Sequence, residues 1–181
     1  MILELCDKSE KIIEIIYVYI KLLYYKFKYG KRLRLGRKIR FRKGFRLYMD
    51  KNAKVEIGNN VFFNKNCTVD AFFGVTIKDN NLFGENVKIY DHNHIFYDKN
   101  LERRSNFTGE RIIVGNNNWF GTNSMVLSGS TIGNNNVIGA GIIVKPKMNL
   151  ENDNIIKLKS EIYKNEKIIY KVWREEKIFI V

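Results

Sequence analysis

A chain of 181 residues, 45% of them hydrophobic, is long enough for one core with small attachments, and that composition excludes disorder for the bulk of it. Two cysteines, Cys6 and Cys67, exclude a disulfide scaffold and lack metal-site spacing, so both are expected to be reduced. The formal charge of +13 is concentrated between Lys21 and Arg46, where twelve Lys or Arg occur with no acid, a stripe that suits nucleic acid, anionic lipid, acidic polysaccharide or a polyphosphate cofactor.

In chain order, the N-terminus carries Glu4, Asp7 and Glu10 in place of a basic n-region and shows no small-residue cleavage site. A cleaved signal peptide is therefore not expected, and the reading is of a cytoplasmic protein. Residues 10 to 29 are rich in Ile, Leu and Tyr, run without Gly or Pro and predict a helix, but no window is apolar enough to span a membrane. Its apolar residues cover more than one face. Packing on the main body is the preferred reading, with a membrane interface beside the basic stripe as the other.

Internal repetition dominates the remainder. Val114, Phe120, Val126, Ile132, Ile138 and Val144 fall every six residues, and Gly115, Gly121, Gly133 and Gly139 follow four of them. Neither the helical period nor the strand period produces that register. The phase recurs upstream at Ile57, Phe63, Val69, Ile77, Phe83 and Ile89, with an eight-residue step between Val69 and Ile77 that calls for a bulge near Ala71 to Gly74. Further back it gives Leu33, Ile39, Phe45 and a mismatch at Lys51.

Three such hexads per turn make a triangular coil with the starting residues inside. Val61, Cys67, Val87, Ser124, Ser130 and Ala140 are expected to fill the other inward or corner positions. Because Pro146 is the chain's one proline, Asn59, Asn60, Asn80, Asn116, Asn117, Asn134 and Asn135 are expected to make the turns. The predicted fold is an all-β core, a left-handed parallel β-helix over 31–147, with a helical segment over 1–30 and a C-terminal extension over 148–181.

From Asp91 to Arg111 the hexad is lost, which predicts an extended functional loop. It holds both histidines, in Asp91-His92-Asn93-His94. A neutral imidazole takes a proton from a hydroxyl near pH 7 when a carboxylate holds its tautomer. Asp91 is too near in sequence to be assumed that carboxylate. His-x-His also begins some zinc sites, but no third ligand stands at useful spacing, and no metal is expected.

The run from Gly115 to Gly141, with Trp119-Phe-Gly-Thr-Asn-Ser and Val-Ile-Gly-Ala-Gly, resembles the C-terminal coils of hexapeptide-repeat O-acetyltransferases. Maltose and galactoside acetyltransferases, and those modifying capsule or lipopolysaccharide sugars, are the nearest in pattern, and the likeness spans about Val55 to Val144. That resemblance implies acetyl-CoA as co-substrate, a sugar or polysaccharide-precursor acceptor, and a homotrimer with sites between subunits. It implies His92 as general base, with His94 second. Asn64, Asp70, Asp91 and Trp119 are implied on the acceptor side, and Gly121, Thr122, Ala140, Gly141, Lys145 and Lys147 along the cofactor. Pro146 occupies the place of the family's usual lysine, and the family's closing Gly-x-Pro segment is missing after Met148.

Two other readings accompany this one: N-acetylation of a nucleotide-linked amino sugar, and a non-catalytic β-solenoid scaffold. The stripe is open to peripheral contact with anionic membrane, whereas nucleic acid is not expected because no reading module is visible.

Overall fold

The computed structural model describes residues 2–95 and 106–158, with side chains from Ile12 onward. The side chain of Cys6, the middle of the long loop and the expected extension from 159 lie outside what is described.

Helix α1 (Ile2–Tyr29) is followed by a short 3-10 turn and a left-handed parallel β-helix. The first coil is β1 (Leu33–Leu35), β2 (Arg40–Phe41) and β3 (Arg46–Met49); the second is β4 (Val55–Ile57), β5 (Phe62–Phe63) and β6 (Thr68–Ala71). The third is β7 (Val75–Ile77), β8 (Leu82–Phe83) and β9 (Lys88–Tyr90), after which β10 (His92–His94) and β11 (Phe107–Gly109) leave as a ribbon. The fourth is β12 (Ile112–Val114), β13 (Trp119–Phe120) and β14 (Met125–Leu127). Then come β15 (Thr131–Ile132), β16 (Val137–Ile138) and β17 (Ile143–Val144), and a partial sixth coil of β18 (Asn149–Leu150) and β19 (Ile155–Ile156). Successive coils stack into three parallel sheets of six, six and five strands, here called the first, second and third faces.

The hexad works because a side of the triangle is too short for more than two or three extended residues, so one residue per side must fill the interior. Val114, Phe120, Val126, Ile132, Ile138 and Val144 are all buried. On the second face the fillers are aromatic. Phe63, Phe83 and Phe120 stack at 4.6 Å between successive centroids, and Phe45 continues the column at 4.7 Å.

Corners between the first and second faces are held by asparagine. The side-chain oxygens of Asn59, Asp79, Asn116, Asn134 and Asn152 each accept from a backbone N–H one coil away. Beneath them a buried row does the same, Asn81 accepting from Asn118, Asn118 from Asn136, and Asn136 from Asn154. Asn60, Asn80, Asn117 and Asn135 take positive φ, the left-handed conformation that asparagine tolerates.

The structure corrects three expectations. In the first coil the partners of Ile57, Phe63 and Val69 are Leu35, Phe41 and Leu47, two residues on from the expected Leu33, Ile39 and Phe45. Those three are also buried, as the second inward position of each side, and the corner after Met49 absorbs the Lys51 mismatch. The solenoid does not stop at 147, since β18 and β19 pair with β15 and β16. Lastly, the segment 91–111 is not wholly irregular: its ends pair antiparallel, His92 with Gly109 and His94 with Phe107.

Helix α1 closes the open end of the first coil. Tyr25 and Tyr29 are buried against Phe45 and Leu47, and their hydroxyls serve the strand edge, Tyr25 accepting from Leu47 N at 3.1 Å and Tyr29 donating to Leu47 O at 3.0 Å. The helix therefore ends the β-ladder and blunts an edge that would otherwise recruit another strand.

Phe83→Ala removes the centre of the aromatic column and is expected to cost about 3–5 kcal/mol, read as a lowered denaturant midpoint at unchanged slope. Asp79 is the one carboxylate in the outer corner ladder, and its bonds from the Asn59 backbone and side chain hold it below its ordinary value of 3.8. A lowered folded value means that its contribution is complete above 3.8 and lost as pH falls through the folded value. Wild type should therefore lose melting temperature in acid relative to Asp79→Asn, whose amide keeps the acceptor and does not titrate.

Candidate active site

The site is built on the one irregular corner, between the third and first faces. Where β6 passes to β7, the eight-residue step leaves the N–H groups of Phe72, Phe73 and Gly74 without a carbonyl in the adjoining coil. They converge on Asp91 instead. Its Oδ1 accepts from Phe72 at 2.8 Å, and its Oδ2 from Phe73 at 2.8 Å and Gly74 at 2.5 Å. Successive backbone N–H groups of this kind form an anion nest. Asp91 is 0% exposed, so the nest supplies the solvation that burial removes.

The fourth contact of Asp91 is to the neighbouring imidazole. His92 Nδ1 lies 3.2 Å from Asp91 Oδ1. Because both carboxylate oxygens already act as acceptors, Nδ1 carries the proton and Nε2 presents its lone pair. The imidazole, 11% exposed, is packed on Phe72 at 4.0 Å and edge-on to Phe107 at 5.2 Å between centroids. His94 is exposed on the ribbon, its ring 4.6 Å from Phe107.

Asp70 stands on the third face in register with Tyr90 and is partly buried. Burial raises its carboxyl above the usual range, His92 and Arg46 pull it down, and Asp91 pushes it up. Its Oδ1 is enclosed and has no hydrogen-bond partner among the described residues. Beside it a cleft of about 420 Å³ separates α1 from the third face, lined by Tyr24, Lys28, Arg46, Tyr48, Asp70 and Tyr90 among others.

Of the remaining sequence-derived residues, Asn64, Trp119, Gly121, Thr122, Ala140 and Gly141 do not join His92 within one chain. Asn64 sits at the corner between the second and third faces, its Oδ1 accepting from Lys65 N. Gly121, Thr122, Ala140 and Gly141 stack at that same corner, with Gly141 N donating to Thr122 O at 2.9 Å. A Cβ on Gly121 would meet Ala140 N at 2.5 Å, so the coils approach closely there and present a ledge of small side chains. Trp119 is 52% exposed on the second face, in an outward row with Phe62, Leu82, Val137 and Ile155. Lys145 and Lys147 lie at the histidine's corner, and Lys147 is paired with Glu110 at 2.6 Å.

Asp91 is therefore reassigned. Its burial and saturated oxygens keep it from an acceptor, and it holds the imidazole despite the sequence adjacency that argued against it. Phe72, Phe73, Gly74 and Gly109 were missed as site residues. The eight-residue step was the signal for the first three. At Gly109 a Cβ would lie 2.1 Å from Asp91 O and 2.8 Å from His92 Cα, so only glycine lets the ribbon close over the pair.

Cys67 offers no competing nucleophile. Burial pushes its thiol up to about 11, and Sγ lies 3.0 Å from Gly84 O. Among the described residues no three His, Cys, Asp or Glu gather as metal ligands.

Residues 111–141 match the family model for the bacterial transferase hexapeptide (six repeats), so this part of the chain carries that repeat. The likeness to hexapeptide-repeat acetyltransferases extends to solved structures. A maltose O-acetyltransferase from Clostridium difficile 630 is 28% identical with a TM-score of 0.51, over 66% of this chain and 63% of that one. A galactoside acetyltransferase in complex with coenzyme A is 29% identical with a TM-score of 0.54, over 66% and 57% of the two chains. A hexapeptide-repeat-containing acetyltransferase from Vibrio cholerae O1 biovar eltor, complexed with acetyl coenzyme A, is 25% identical with a TM-score of 0.54, over 67% and 64%. The chain thus spans less than two thirds of the length of each relative. No curated protein sequence matches it.

In Asp91→Asn, an amide NH2 must face either Phe72 N and His92 Nδ1 or Phe73 N and Gly74 N. The variant is expected to lose about 3 kcal/mol of stability, measured by chemical unfolding, because donors then meet donors in a buried site.

Proposed function

We propose that this protein is an acetyl-CoA-dependent O-acetyltransferase acting on a hydroxyl of a sugar or surface-polysaccharide precursor, with His92 as general base. The observation that carries the reading is the buried Asp91–His92 pair on its nest of three N–H groups. Fixing a tautomer this firmly has no use in a scaffold, but it is what a base facing a hydroxyl requires.

His92 Nε2 takes the acceptor hydroxyl proton as the oxygen attacks the thioester carbonyl. The C–O bond forms, the C–S bond breaks, and the imidazolium returns its proton to the departing thiolate. A backbone N–H at the coil edge stabilises the oxyanion. Asp70, with an unoccupied oxygen beside the histidine, accepts a second hydroxyl of the sugar and sets which one is acylated. The ledge of Thr122, Ala140 and Gly141 suits the extended arm of the acyl donor, since no long side chain blocks it. Lys145 is the cation left for its phosphates, Lys147 being held by Glu110.

The histidine and this ledge occupy different corners of the triangle. One side of about five residues separates them by roughly 16 Å, too far for one acetyl group to serve both. The site is therefore shared: the ledge of one copy meets the histidine corner of the next, as in a closed ring of three.

His92→Ala is expected to lower transfer by about 10²–10⁴-fold without unfolding, while His94→Ala keeps most of it. Inactive His92→Ala and Ala140→Trp chains, mixed and reassembled, should regain activity through sites that draw one intact corner from each. Failure of the mixture alone removes the shared site; full activity of both histidine variants removes the base.

A further inference from the structure

From Ile12 to Tyr29 the apolar residues of α1 cover more than one face, yet the fold buries one side of it. Val18, Leu22, Tyr25 and Tyr29 face the first coil, whereas Ile13, Ile16, Ile20, Leu23 and Phe27 form an exposed row at the three- and four-residue spacing of a single face. Ile20 is 60% exposed and Phe27 93%. Because α1 caps the end of the solenoid, this row points away from the coils and forms the base of the molecule. A contiguous exposed apolar row of this kind marks an interaction surface.

The rim of the base identifies the cover. Lys31, Arg34, Arg37, Lys38, Arg40, Arg42, Lys43 and Arg46 are exposed on the 3-10 turn and the first coil, and Lys26 and Lys28 flank Phe27. Arg34 has Glu56 at 3.6 Å, and Glu14, the acid among the described helix side chains, faces the groove with Arg40 and Arg42. The partner must accept an apolar row at its centre and a ring of cations around it. Nucleic acid or an acidic polysaccharide matches the ring and leaves the Ile and Phe side chains in water. A second copy of the chain matches the row and opposes its own ring with another of the same sign, at a net +13 each. A bilayer rich in anionic lipid matches both. Among the described residues no helix is long and apolar enough to cross a membrane, so the contact of this helix is in the plane of the interface.

We propose that the capped end of the solenoid docks on an anionic lipid surface, Ile13, Ile16, Ile20, Leu23 and Phe27 entering the interface and the first-coil cations meeting the headgroups. This assignment does not rest on acetyl transfer, and its test needs no acetyl-CoA.

The test is flotation of the full chain with vesicles of mixed phosphatidylglycerol and phosphatidylcholine, and with phosphatidylcholine alone. Binding is expected to the first and not the second, and to weaken as salt is raised. Ile16→Asp with Ile20→Asp, and separately Lys31→Glu with Arg37→Glu and Lys43→Glu, should each weaken partition at least about tenfold. All these side chains are exposed, so circular dichroism and melting temperature should match wild type. No binding of wild type to anionic vesicles overturns the proposal. So does binding that survives both variants. If the Ile16 and Ile20 changes instead dissociate an oligomer while vesicles never bind, the row is a protein interface; if only soluble acidic polysaccharide binds, the ring alone is used. Either outcome likewise overturns the proposal.

Discussion

Everything in this molecule depends on backbone groups finding partners one coil away. On the flat faces carbonyls supply them, and at two of the corners side chains and close glycine contacts complete the match. A buried N–H left unmet costs about 1–3 kcal/mol, so a solenoid tolerates a departure from its period only where something replaces the lost acceptor. At the second coil the step lengthens from six residues to eight, three successive N–H groups lose their carbonyls, and the Asp91 carboxylate takes all three. The defect in the repeat and the anchor of the imidazole are thus one structure. That coupling places the histidine at a corner rather than along a face.

This view explains what could be read from residues alone. The interior was legible because one apolar residue per six has no other use in a chain so poor in proline, and Val114 to Val144 hold that phase without a slip. The first coil was legible with a shift of two residues. Each side has two inward positions there, and Leu33, Ile39 and Phe45 are as apolar as Leu35, Phe41 and Leu47. The coils beyond 147 were hidden for the opposite reason: Leu150 and Ile156 are the inward pair in a polar, asparagine-rich stretch, too few to announce a period.

The site was legible only in outline. His92 stood out because it begins the break in the repeat, whereas the role of Asp91 was obscured by adjacency. Neighbouring side chains on a strand point to opposite sides, which argues against their meeting. Here the strand ends at Tyr90, and the corner turns the Asp91 carboxylate inward while His92 Nδ1 stays within 3.2 Å of it. Gly109 could not be singled out, because its need to be small comes from the ribbon crossing back over Asp91, a contact between residues eighteen apart whose register no local pattern encodes.

The capping helix connects the two ends of the argument. It shields the edge of the first coil, and its Tyr24 and Lys28 also form one wall of the cleft whose other wall holds Asp70 and Tyr90. His92 follows the third coil, two coils above the base, and coils rise by about 4.8 Å each. The helix adds its own thickness of about 10 Å, so a bilayer against α1 would lie about 20 Å below the imidazole, with the cleft opening along that interval. An acceptor tethered to lipid through its first sugar would enter from the membrane side and meet Arg46 and Asp70 before the base. Under the proposed docking and transfer, a freely diffusing sugar would gain nothing from that geometry, whereas an acceptor built on the membrane would.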